Sequence, residues 1–188
     1  MKGFKGRLVL AALLMLTPAG VVLAQEMPVP GSASSAKVPV ACRATPPALP
    51  AELSGWYRRV PLAAGQDAGA AARLTPGKAV DGMLSPTPEV RYAQRPEKPG
   101  GSVSFGGIYT FTVSAAGHYR VALGSAAWID VIRAGDATTG LTSIAHGHGP
   151  DCSGIRKMVD FALEPGDYIL QISANAEAKL PLLVTRLP

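Results

Sequence analysis

The residues whose types and spacing could do chemistry are concentrated in Ala145-His146-Gly147-His148-Gly149-Pro150-Asp151-Cys152, where two imidazoles and a carboxylate fall within six positions. Residues i and i+2 of extended backbone project to the same side. His146 and His148 could therefore share one divalent transition-metal ion, with Asp151 completing a two-histidine, one-carboxylate set that keeps positions open for water or substrate. That would be the centre of a small metal-dependent enzyme. The same residues also suit a structural turn, in which glycines permit tight geometry and the imidazoles only hydrogen-bond or titrate near about pH 6.5. Gly147 and Gly149 weigh towards the turn, because a flexible pair is poorly preorganised for catalysis. No residue is assigned a catalytic role, and no cofactor is firmly implied.

A second group carries ligand-binding rather than catalytic chemistry. Asp130 lies two positions from Trp128 on an extended run, and Arg156 is followed by Lys157. An indole can stack on a sugar or aromatic ligand, a carboxylate can take its hydroxyl donors, and Arg156 with Lys157 could hold an anion. Each also has a plain structural use: a core aromatic, a buried hydrogen-bonding acid, a solvated strand start. Ser153-Gly154 lacks the preceding glycine of a nucleophile elbow.

The elements that position these residues begin after a leader. Lys2, Lys5 and Arg7 precede an uncharged apolar run over 8–16, Thr17-Pro18-Ala19-Gly20 interrupts it, and Val22-Leu23-Ala24 places small residues before Gln25. This is the pattern of a secretory signal peptide over residues 1–24. The apolar run is shorter than the roughly 20 residues a membrane-spanning helix needs, and no later segment is longer. The mature protein is expected to be periplasmic or secreted, without a transmembrane segment.

Cleavage near Ala24 also removes most of the apparent basicity. Without those three cations, and with no acid lost, the 18 Lys and Arg fall to 15 against 13 Asp and Glu, a balance of +2. No basic cluster remains that could release counterions from a nucleic acid, which is excluded as a partner. Export changes the cysteines too. Cys42 and Cys152 are the only two, and in an oxidising compartment the expected state is one disulfide.

Residues 25–50 hold six prolines and Gly31-Ser32-Ala33-Ser34-Ser35, and read as an extended Pro-rich segment pinned by Cys42. A turn of helix around 50–56 would put Leu53 and Trp56 on one side, and 62–73 suit a short helix or flexible loop. From Lys78 onward the pattern becomes short runs at 79–84, 103–105, 108–113, 118–123, 128–132, 141–145, 158–163, 168–173 and 182–186. Tyr109-Thr110-Phe111-Thr112-Val113 alternates with period two, and Glu164-Pro165-Gly166-Asp167 is a tight connector. The spacing predicts an all-β fold over 51–188: an antiparallel, jelly-roll-like β-sandwich of about eight or nine strands.

Tyr109-x-Phe111-x-Val113, Ala116-Gly117-x-Tyr119-x-Val121, Trp128-x-Asp130-Val131 and Phe161-x-Leu163-x-Pro165-Gly166-x-Tyr168-x-Leu170 together resemble the jelly-roll modules known as carbohydrate-binding and prepeptidase C-terminal domains. This covers residues 103–187. The stretches from Pro88 to Val103 and from His146 to Phe161 are similar to small exported bacterial proteins, some of which carry the name homogentisate 1,2-dioxygenase. That dioxygenase is a cupin enzyme, whose metal motif is Gly-x5-His-x-His followed by Glu. Gly140, His146 and His148 match its first half, Cys152 or Ser153 occupies the Glu position, and no histidine follows His148.

The sequence thus points to an exported, non-catalytic binding or envelope-associated module whose partner is a glycan, an envelope component or a protein. The alternative is a small metal-dependent, dioxygenase-like enzyme built on the His146/His148 loop.

Overall fold

Alternation of apolar and polar residues from Tyr109 to Val113 buries one side of the second half of a nine-residue strand, Phe105–Val113, whose first half is buried on both sides at Gly106, Gly107 and Ile108. The same device recurs through the computed structural model, which describes residues 41–136 and 140–188, all within the unit Pro39–Pro188. The leader and residues 25–40 of the Pro-rich segment lie outside the described residues. Residues 41–50 carry no helix or strand.

Eleven strands form among the described residues: β1 (Val60–Ala63), β2 (Ala72–Arg73), β3 (Val80–Met83), β4 (Ser85–Pro86), β5 (Phe105–Val113), β6 (Gly117–Leu123), β7 (Trp128–Arg133), β8 (Ala145–Gly147), β9 (Lys157–Leu163), β10 (Gly166–Asn175) and β11 (Lys179–Arg186). One sheet runs β1-β3-β11-β6-β9-β8 and the other β2-β5-β10-β7, with β4 beside β5. The predicted β-sandwich is therefore present.

Its order is that of a jelly roll. With β3, β5, β6, β7, residues 141–147, β9, β10 and β11 taken as eight successive strands, the first, eighth, third and sixth share one sheet. The second, seventh and fourth share the other. The fifth starts against β7, where Leu141 donates its N–H to the carbonyl of Val131 at 2.8 Å, and ends as β8 against β9. It passes from one sheet to the other, which explains why only three of its residues are strand.

Two expectations need correction. The sheets are mixed rather than wholly antiparallel, because β1 lies parallel to β3 and β2 parallel to β5. Residues 62–73, read as helix or loop, instead supply the end of β1 and all of β2. These strands are two to four residues long and have no alternating pattern of their own. Bonds to longer strands make them.

Between the sheets, Tyr109, Phe111, Tyr119, Val121, Leu123, Val131, Phe161, Tyr168, Leu170, Ile172, Leu182 and Val184 form the main core. The Phe111 and Tyr168 rings stack at 5.5 Å. Both outer faces are covered as well. On the six-stranded sheet, a single 3-10 turn at Ala51–Leu53 brings Leu53 and Trp56 onto Ala79, Ala122, Ile155 and Leu183. On the other sheet the cover is polar: Gln171 and Ser173, outward on β10 and fully buried, bind the segment over 92–98.

Candidate functional site

The His146 loop serves mainly as a fastener. His146 stands opposite Val159 on the short β8 edge and is exposed, whereas the His148 Nδ1 lies 2.6 Å from the Arg156 carbonyl oxygen. Asp151 instead faces the Pro-rich chain, where with Arg43, Thr45, Pro46 and Pro47 it lines a shallow cleft of about 450 Å³. Among the described residues, no three His, Cys, Asp or Glu side chains are grouped to hold a metal ion. The expected ligand set of His146, His148 and Asp151 is not brought together.

What the loop does achieve is tight closure. Gly149 donates its N–H to the Ile155 carbonyl at 3.2 Å, and Ser153 donates to that of Pro150 at 3.1 Å. Cys152 and Gly154 take positive φ values of 62° and 76°, so the chain can turn back on itself. The turn presents Cys152 to Cys42, forming the expected disulfide, and presents the Ser153 carbonyl to the Trp56 indole.

The second predicted group is assembled in part. Trp128 and Asp130 are both outward on β7, and the indole Nε1 donates to Asp130 Oδ1 at 2.9 Å. Gln171 sits opposite Asp130 in the β7–β10 register. Its side chain grips the main chain of Gln94 at both ends, accepting from the N–H at 3.1 Å and donating to the carbonyl at 3.0 Å. Tyr92 and Ser173 fix the same segment, through bonds to the Ile172 and Lys98 carbonyls respectively. Two acceptor atoms here, Asp130 Oδ2 and Gln94 Oε1, are buried without a hydrogen-bond partner.

Two lysines converge on the indole, and of these only Lys157 was singled out from the sequence. Lys98 Nζ lies 5.0 Å and Lys157 Nζ 5.2 Å from the Trp128 ring centroid, within cation–π range. Lys157 also donates to the Ala127 carbonyl at 2.8 Å. Arg156 points its main chain elsewhere, its N–H bonding Leu123 and its carbonyl the His148 ring, and its side chain makes no hydrogen bond or ion pair to Trp128 or Asp130.

Electrostatics follow from this crowding. Burial raises the Asp130 carboxyl above the usual range, against the bonds from Trp128 and Gln171; Glu97 adds to the rise and Lys157 opposes it. Burial, and then the neighbouring Lys98 ammonium, lower Lys157, with Asp130 acting in the other sense. Tyr92 is raised, chiefly by burial, with a contribution from the Asp130 charge. No sequence pattern marked Gln94 or Lys98, which lie in an irregular segment far along the chain from β7. Gln171 carried one faint signal, a polar residue between apolar neighbours on a buried strand.

No family model matches the chain, and no curated protein matches it. A solved structure similar to it is the prepeptidase C-terminal domain of a collagenase from Bacillus anthracis. Identity is 17%, the TM-score is 0.38, and the match covers 67% of this chain and 97% of that one.

Proposed function

We propose that the protein is an exported, non-catalytic β-sandwich module that binds a glycan through the outer face around Trp128 and Asp130. The division behind it is a signal peptide over 1–24, a Pro-rich segment over 25–50 and a sandwich over 51–188, with a periplasmic or secreted destination after cleavage near Ala24. The leader pattern supports export, as does the Cys42–Cys152 disulfide, a bond that persists in oxidising compartments. No helix among the described residues is long and apolar enough to cross a membrane.

The observation that carries glycan binding is the half-buried Trp128 indole on the outer face of β7, held by its bond to Asp130 Oδ1 and flanked by Lys98 and Lys157. An aromatic body beside hydrogen-bond donors is a set that can meet the C–H face and hydroxyls of a sugar.

Two measurements test it. Mass spectrometry of the product exported from the full-length chain should find Gln25 at the N-terminus. The mature protein should be retained by at least one member of a polysaccharide panel, and Trp128→Ala should abolish retention while leaving the fold intact. Failure of every polysaccharide, with retention by an envelope protein fraction instead, would replace the glycan with a protein partner.

A further inference from the structure

We infer that the Trp128 site selects acidic glycans, with Lys98 and Lys157 receiving a carboxylate or sulfate group carried by the sugar. The inference rests on the glycan reading above and adds the charge of the ligand.

The fold brings two ammonium groups to one indole ring, at 5.0 and 5.2 Å from its centroid. Neither forms an ion pair with any of the described residues. Every ion pair among the described residues uses an arginine: Arg59 with Asp81, Arg73 with Asp167, Arg91 with Asp67, and Arg120 with Asp160 and Glu52. Lys98 and Lys157 are held by the face of an indole, and Lys157 by a main-chain carbonyl too. Neither of those partners cancels a full positive charge.

The nearest acids offset that charge only in part. Asp130 acts on Lys157 without pairing with it, its Oδ1 accepting from the Trp128 N–H and its Oδ2 making no hydrogen bond, and the exposed Glu97 makes no hydrogen bond or ion pair to either lysine. Two like charges gathered around one ring repel each other, and an anion placed between them relieves that repulsion while gaining charge-assisted hydrogen bonds. Lys98 is exposed and Lys157 half-buried, so an oxyanion can approach from solvent. Phosphate alone or a polyanion of another kind offers the same charge, but neither offers an apolar sugar face to the half-buried indole.

The experiment is affinity electrophoresis and calorimetry of the mature protein with a polyuronate, a sulfated dextran, unmodified dextran and a single-stranded oligonucleotide of matched charge. The acidic polysaccharides should bind and unmodified dextran should not. Lys98→Ala and Lys157→Ala should each weaken binding about tenfold. Lys78→Ala and Lys179→Ala, which remove exposed lysines elsewhere, should leave it within about twofold. Equal binding of neutral and acidic dextrans, unaffected by the Lys98 and Lys157 variants, would overturn the inference and leave glycan binding standing. Equal losses from all four lysine variants, or equally tight binding of the oligonucleotide, would overturn it in favour of a general response to charge. Binding of no polysaccharide would bring down both, and circular dichroism of each variant separates lost binding from lost folding.

Discussion

Trp56 donates its indole N–H to the main-chain carbonyl of Ser153, 2.9 Å away and 97 residues along the chain, immediately beside the disulfide at Cys152. One loop is thereby fastened twice, covalently to the Pro-rich chain at Cys42 and through the fully buried ring of Trp56 to the turn that follows it. The loop that looked most like a metal site is used for this fastening.

Loss of the covalent fastening should be felt in the unfolded chain. The disulfide joins residues 110 apart. Replacing both cysteines in Cys42→Ala/Cys152→Ala should lower the unfolding free energy by roughly 4 to 5 kcal/mol. Urea unfolding followed by circular dichroism measures the change; a loss below about 1 kcal/mol would show that the unfolded chain gains little freedom from reduction.

The indole itself contributes packing and one bond, and two substitutions separate them. Trp56→Ala empties a site packed by Leu53, Ile155 and Leu183 and should cost about 3 to 5 kcal/mol. Trp56→Phe keeps an aromatic ring but leaves the buried Ser153 carbonyl unpaired, for about 1 to 3 kcal/mol. Equal losses from the two would mean that the hydrogen bond, not the packed ring, holds the turn in place.

Arg120 binds Asp160 through two parallel bonds of 2.7 and 2.8 Å across the β6–β9 pair, with the acid side chain only 10% exposed. Arg120→Ala strands that carboxylate and should cost about 3 to 5 kcal/mol. Arg120→Met together with Asp160→Leu removes both charges and should recover most of the loss. If the double variant is no better than the single one, the charge pair itself, and not the avoided stranded acid, stabilises the sheet.

Asp130 gives a pH dependence of definite sign. Its carboxyl is held above the ordinary value of 3.8 by burial, so from 3.8 upward the native protein keeps a proton that the unfolded chain has released. Stability conferred by that proton is fully present below 3.8 and is lost as pH rises through the raised native value. Asp130→Asn has no such proton to lose. Its urea midpoint relative to the parent should therefore increase with pH across this window and then level off. A pH-independent difference between the two proteins would refute the raised value.

Much of the sandwich was legible because burial on one side of a strand writes itself as alternation. Tyr109, Phe111 and Val113 on β5, and Tyr168, Leu170 and Ile172 on β10, are core residues at period two. The disulfide was legible from a count of two cysteines together with an N-terminal pattern that led to the expectation of export. Trp128 and Asp130 were legible as a pair because strand geometry puts i and i+2 on one side.

What the chain order alone could not state is which distant segments meet. Strands β1, β2 and β4 exist because longer strands offer them bonds, and no local pattern marks them. Lys98 reaches Trp128, and Gln94 is gripped by Gln171, only after the 92–98 segment folds across β10. Local sequence carried the leader pattern, the alternating strands and the single cysteine pair, since each depends on near neighbours or on composition. Tertiary packing decided that the histidine loop would present Cys152 to Cys42 and the Ser153 carbonyl to Trp56, and that two lysines would share one indole, since charge and direction at a site are sums over residues far apart along the chain.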